Sequence, residues 1–231
     1  MKNLLLRTLT GIVYVAAIVL SIVFFEQFPY VFCVILLFFS AASTIELMRM
    51  CQKKGYHPQT AVSVAFSIAF PLALFCDDAY WCEFSDILYE LSTILFIACV
   101  FFLILPLVVE IFRKKENPIV NVATTYLPFF WIAFPFALLY LTAADTPEFV
   151  LAFFILIWLN DTLAYCVGSL FGRHRLCERI SPKKSVEGFV GALVLTAGAS
   201  VAFYYIPYFS RLFVHPLYWV GFASSSSSKT R

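Results

Sequence analysis

The sequence predicts an all-α, polytopic transmembrane helical bundle with seven full spans and an incomplete eighth. Three observations carry that prediction. Hydrophobic residues make up 62% of the 231 and charged residues only 13%, against roughly 45–50% and about 25% in soluble domains. The apolar residues fall in blocks close to the length of about 20 needed to cross a bilayer. The basic residues lie on alternate sides of those blocks. A water-soluble fold of this composition would lack the polar side chains to cover its surface, and the apolar content is too high for disorder. The formal charge of +2 gives no ground for a nucleic-acid partner, because the basic residues are segregated by position.

Span one (residues 9–25) follows Lys2 and Arg7 and is similar to a secretory signal. No small-x-small cleavage site follows it and six further spans do, so it is read as retained. Span two (28–46) is followed by Arg49, Lys53 and Lys54. Span three (60–75) leads into an acidic loop, 76–90, with Asp77, Asp78, Glu83, Asp86 and Glu90 and no Lys or Arg. Span four (91–112) is followed by Arg113, Lys114 and Lys115. Span five (118–142) contains Pro128 and Pro135, which are expected to bend it. Span six (149–170) is followed by Arg173, Arg175, Arg179, Lys183 and Lys184, and span seven covers 186–207. A last apolar run, 214–222, is too short to cross.

On this reading 13 of the 16 basic residues lie on one side. The positive-inside rule makes that side cytoplasmic, with the N-terminus, in a cell inner (cytoplasmic) membrane. Residues 1–223 read as a single transmembrane domain, and 224–231 as a low-complexity tail opening with five serines. Seven cysteines show no CxxC and no zinc-like pairing with histidine. Cys76 and Cys82 share the acidic loop and could form a disulfide in an oxidising compartment.

Two places depart from lipid-facing filler. In span six Asp161 lies deep in the apolar run, where an acid costs roughly 2.5–3.5 kcal/mol on insertion scales and is therefore a functional candidate. Helical spacing puts Asp161, Tyr165 and Gly168 on one face, able to present a carboxylate and a phenol to a polar cavity. The alternative is that Asp161 bonds a polar group on a neighbouring helix, while Gly168 and Gly172 form an ordinary GxxxG packing contact.

The second place is the cytoplasmic stretch GRHRLCERISPKKSVEGFVGALV. Ser181 is a good N-cap and Pro182 a good first residue, so a helix is predicted to begin there. Lys183 and Lys184 in its first turn carry the wrong charge for the helix dipole, unless a phosphate is bound among them and the free N–H groups. Arg173, His174, Arg175 and Arg179 add positive charge upstream. Glu187 could orient a lysine or help hold a divalent cation, and Gly188 and Gly191 leave a small-residue face for tight packing. The alternative is topological, a basic loop that holds anionic headgroups. Local ion pairs are expected for Glu46 with Arg49 and for Glu110 with Arg113 or Lys114. No Walker loop, HExxH, GxSxG or Rossmann fingerprint is present.

At these two motifs the chain resembles the bacterial phosphatidate cytidylyltransferases, also called CDP-diacylglycerol synthases. The matching block, 160–191, combines D-T-x-A-Y (Asp161, Thr162, Ala164, Tyr165), G-x-x-x-G (Gly168, Gly172) and S-P-x-K-[ST]-x-E-G (Ser181, Pro182, Lys184, Ser185, Glu187, Gly188). The opening RTLTGIVYV and the Glu46-Leu47 step are similar as well. The resemblance implies transfer of CMP from CTP to phosphatidate at the cytoplasmic membrane face, with Mg²⁺, in phospholipid biosynthesis. It implies catalytic roles for Asp161, Lys184 and Glu187, with Asp161 also binding metal. Tyr165, Arg173, Arg175, Ser181, Lys183 and Ser185 would bind substrate. CTP, phosphatidate and membrane lipids are the implied partners, with homodimer formation left open.

The resemblance stops short of the family's later segment, Gly-His-Gly-Gly leading to Asp-Arg-x-Asp, which supplies most of its metal aspartates. The chain is therefore expected to be C-terminally incomplete and inactive or nearly so. The rival readings are a CTP-dependent polyprenol or lipid-alcohol kinase and a non-enzymatic lipid transporter.

Overall fold

The computed structural model describes residues 2–78, 85–177 and 181–209. In chain order the elements are α1 (Lys2–Val23), α2 (Pro29–Lys53), α3 (Thr60–Asp78), α4 (Ser85–Phe112), α5 (Pro118–Pro128), a π turn (Phe129–Ala133), α6 (Phe134–Asp145), α7 (Pro147–Phe171), β1 (Arg175–Cys177), β2 (Ser181–Ser185) and α8 (Val186–Tyr205). The chain divides into two compact units, Met1–Asp145 and Thr146–Arg231.

Proline and glycine punctuate the helices. Pro29, Pro118 and Pro147 stand at the starts of α2, α5 and α7, where a missing N–H costs nothing. Lys54 closes α2, Gly55 takes a left-handed φ of +86°, and Pro58 follows. Among the described residues six helices are long and apolar enough to cross a membrane: Pro29–Lys53, Thr60–Asp78, Asp86–Phe112, Pro118–Asp145, Pro147–Phe171 and Val186–Tyr205. The chain is a multi-pass, helical membrane protein. The apolar stretch of α1, Leu9–Val23, falls below that length, and the predicted run 214–222 lies outside the described residues.

Three details add to the expected helical architecture. Beside the helices, β1 and β2 form an antiparallel hairpin with Arg175 opposite Ser185. Span five stays continuous, and its two prolines flank the π turn. Pro135 cannot donate to the carbonyl four residues back, and the wider turn relieves that missing bond. The predicted acidic loop is largely helical, since α3 runs through Asp78 and α4 starts at Ser85. Cys76 is a buried free thiol, and Cys82 lies outside the described residues.

The first unit has an aromatic core and a buried polar clasp. Phe66 of α3 stacks on Phe129 of the π turn with ring centroids 3.9 Å apart, packed with Ala69, Cys99 and Ala133. At the ends of α3, α4 and α5 the carboxylate of Glu110 is 6% exposed and fully engaged. It accepts from Asn121 Nδ2 at 2.9 Å, Gln59 Nε2 at 3.2 Å and Arg113 Nη1 at 2.9 Å. Asn121 Oδ1 in turn accepts from His57 N at 2.8 Å, and Gln59 N donates to Thr125 Oγ1 at 2.9 Å. A buried carboxylate is tolerable only with such partners. The expected Glu110–Arg113 pair is therefore present. Glu46 and Arg49 are exposed and form no ion pair among the described residues.

Candidate functional site: a basic hairpin clamped to two helices

The second unit holds every residue singled out from the sequence as a candidate. Its base is a seam between α7 and α8 built from small side chains. A Cβ on Gly168 would lie 3.0 Å from Ser185 Oγ, and one on Gly188 would lie 2.8 Å from the Ala164 carbonyl and 2.9 Å from Gly168 Cα. A Cβ on Gly172 would meet the carbonyl of Gly168 and lie 2.7 Å from Ser185 Oγ. Ala164, Gly168 and Gly172 recur every four residues, which places them along one stripe of α7. Ser185 meets the later glycines and Gly188 the earlier residues, so the two helices run antiparallel. The packing reading of the glycines is the correct one.

The start of α8 corrects the sequence reading. No helix begins at Ser181: residues 181–185 are β2, and Ser185 is the N-cap, its Oγ accepting from Gly188 N at 3.2 Å. Ser181 and both lysines therefore lie on a strand. The reason is electrostatic. A start at Ser181 puts two cations in the first turn, whereas a start at Ser185 puts Glu187 there, where the dipole favours an anion. The N–H groups proposed to hold phosphate are partly used internally, since Val186 N donates to the His174 carbonyl at 2.9 Å.

Among the described residues Glu187 meets the turn after α7 and no lysine. Its Oε2 accepts from Arg173 N at 3.0 Å, both oxygens accept from His174 N at 3.2 Å, and Oε1 lies 2.6 Å from His174 Nδ1. The carboxylate thus clamps the turn after α7 onto the first turn of α8. Around this clamp Arg173, His174, Arg175 and Lys184 are all exposed. The hairpin register pairs Arg175 with Ser185 and leaves Lys184 next along β2, so these cations lie on neighbouring positions of one short hairpin at the end of the α7–α8 pair. Among the described residues Arg173, Arg175 and Lys184 form no side-chain ion pair. The side chain of Lys183 and all of Arg179 lie outside the described residues.

Asp161 and Tyr165 stand further along α7, on the edge of the stripe that meets α8. Both are exposed, Tyr165 to 77%. Asp161 makes no hydrogen bond or ion pair among the described residues. It lies seven residues before Gly168 and ten before Phe171, about 15 Å along the helix axis from the end of α7. The clamp and the register thus bring together Glu187, Arg173, His174, Arg175 and Ser185, with Lys184 next on β2 and Asp161 nearly three turns before the end of α7. His174 is the member whose role sequence reasoning missed. No local spacing rule links it to Glu187, 13 residues on; only closure of the hairpin does.

Phosphatidate cytidylyltransferase of Staphylococcus saprophyticus is 36% identical over 84 residues, 36% of this chain and 32% of that protein. The enzyme of the same name from Staphylococcus haemolyticus is 33% identical over 84 residues, again 36% and 32% of the two chains. That of Staphylococcus aureus is 30% identical over 95 residues, 41% of this chain and 36% of that protein. The matched stretch spans about a third of the length of each of these relatives. No solved structure matches. The model of the cytidylyltransferase family matches residues 5–228, and with the clamped hairpin and its flanking helices inside that match, the chain belongs to the cytidylyltransferase family.

Proposed function

We propose that the chain serves phosphatidate cytidylyl transfer in phospholipid biosynthesis. A phosphate oxygen of phosphatidate bonds to the α-phosphorus of CTP, the bond from that phosphorus to the β-phosphate oxygen breaks, and CDP-diacylglycerol and pyrophosphate result. The observation that carries this reading is the group of exposed cations, without side-chain ion pairs among the described residues, on a hairpin fixed by Glu187 at the end of α7. Such a transfer is mostly positioning and neutralisation of phosphate charge. Lys184, Arg173 and Arg175 hold triphosphate oxygens; Ser181 and Lys183 sit on the same strand. The names of the staphylococcal relatives supply the substrate pair.

A divalent cation fits the donor set in one way. Among the described residues no three His, Cys, Asp or Glu side chains converge, and the carboxylate of Glu187 is occupied by the turn it clamps. Asp161 is exposed and unengaged, and Mg²⁺ is commonly held by one or two carboxylates together with substrate phosphates and water. Asp161 would hold it, with Tyr165 one turn away. The ion supplies charge neutralisation at the phosphates.

The membrane placement follows the charges. α1 has 22 residues, about 33 Å at helical rise, enough to serve as a seventh span. The basic ends of α2, α4 and α7 then face the cytoplasm with the N-terminus, in a bacterial inner membrane.

Binding of α-labelled CTP to the purified chain tests the reading. Lys184→Ala is expected to weaken binding about tenfold, as for loss of one charge-assisted contact. Pyrophosphate should compete and cytidine should not. Unchanged binding in the variant, or competition by cytidine alone, would reject the site. If lipid becomes labelled, label from the α position supports cytidylyl transfer and label from the γ position supports the kinase.

A further inference from the structure

Among the described residues the imidazole of His174 is held on one edge. Its Nδ1 faces Glu187 Oε1 at 2.6 Å, and the backbone N–H of the same residue binds both carboxylate oxygens. Yet the side chain remains 82% exposed. A carboxylate at that distance makes Nδ1 the donor, which fixes the ring's rotation and leaves Nε2 facing outward. A histidine needed only for packing would bury its ring. This one is aimed, beside Arg173 and Arg175 on the chain, with its carbonyl accepting from Val186 N across the hairpin at 2.9 Å.

We propose that His174 is a phosphate-binding residue that, as the imidazolium with Nδ1–H on Glu187, donates Nε2–H to a phosphate oxygen of the substrate, and that Glu187 is the positioning residue that aims it. The ligand chemistry is a phosphate bearing terminal oxygens, present both in a nucleoside triphosphate and in a phosphomonoester lipid. The inference rests on the phosphate site proposed above and adds a side chain whose direction is set by a second residue. The clamp also explains why an acid stands inside a cationic cluster without cancelling it. Glu187 spends its charge on Nδ1 and two backbone N–H groups and, among the described residues, not on Lys184 or an arginine side chain.

Replacement of His174 by two different amides tests the idea. His174→Asn can reproduce the Nδ1 donor to Glu187, and His174→Gln can reproduce a donor at the Nε2 position. Binding is measured for the full chain in detergent in two arms, CTP without lipid and phosphatidate without nucleotide. His174→Ala is expected to weaken one arm about tenfold, and the arm affected identifies which phosphate is contacted. Gln should restore much of that loss and Asn little. Glu187→Gln is expected to weaken the same arm with thermal unfolding held within a few degrees. Rescue by Asn in place of Gln would reduce His174 to a structural partner of Glu187 and overturn the proposal. Normal binding by His174→Ala would overturn it as well. Lys184→Ala separates the two failures: if it weakens CTP binding while His174→Ala does not, the phosphate site stands and only the histidine's role falls. If neither matters, both fall.

Discussion

Gly188→Ala is expected to destabilise the protein by about 2–3 kcal/mol, the upper range for overpacking a close contact. The added Cβ would lie 2.8 Å from the Ala164 carbonyl and 2.9 Å from Gly168 Cα. Both are backbone atoms of α7 and cannot turn aside as a long side chain would, so the helices must separate. Separation also pulls Ser185 from its place over Gly168 and Gly172, and Lys184 moves with it. Loss of stability and loss of CTP binding should therefore appear together. Gly198→Ala is the matched control, because a Cβ there meets nothing within 4 Å. It sits in the interior of α8, where alanine is favoured over glycine by about 1 kcal/mol. Unfolding followed in mixed micelles with increasing SDS reads both. Equal midpoints for the two variants would show that α7 and α8 do not cross at these glycines.

Glu110→Ala should cost about 3 kcal/mol, the lower end of the range for removing one partner of a buried pair, since Arg113 is itself partly exposed. The loss is not one bond. Asn121 Nδ2 and Arg113 Nη1 each lose an acceptor at 2.9 Å and Gln59 Nε2 one at 3.2 Å. Gln59 and Asn121 are buried, so water cannot readily replace what is lost. Glu110→Gln keeps an acceptor and much of the shape, and should recover about half. In the doubly substituted Glu110→Ala, Arg113→Ala chain the arginine's share disappears, so the two costs should fall short of additive. A Glu110→Ala unfolding midpoint indistinguishable from that of the unaltered chain would refute the clasp as a stabilising element.

The two experiments probe parts of the molecule that were unequally visible beforehand. The spans were legible because a bilayer imposes a local rule: about 20 apolar residues in a row, flanked by charge of a consistent sign. Helix starts marked by Pro29, Pro118 and Pro147 are local in the same sense. The Glu110–Arg113 pair is one helical turn apart and could be read from spacing. Its other partners, Gln59 and Asn121, come from helices distant in sequence, and no period links them.

The second unit shows the boundary most clearly. The amino-acid order by itself determined that a basic segment joins two apolar helices, that glycines recur every four residues on the first, and that an acid stands in its middle. These are properties of neighbours, set by periodicity and by the cost of charge in hydrocarbon. Only the tertiary structure decided where α8 begins. Ser181 and Ser185 are both acceptable caps, and the choice fell to Ser185 because Glu187 then occupies the first turn and finds Arg173 and His174 across the hairpin. A contact across 13 residues requires the chain to fold back, and the fold-back is held by close approach of Gly168, Gly172 and Gly188, not by any preference of Ser-Pro-Lys-Lys for a strand.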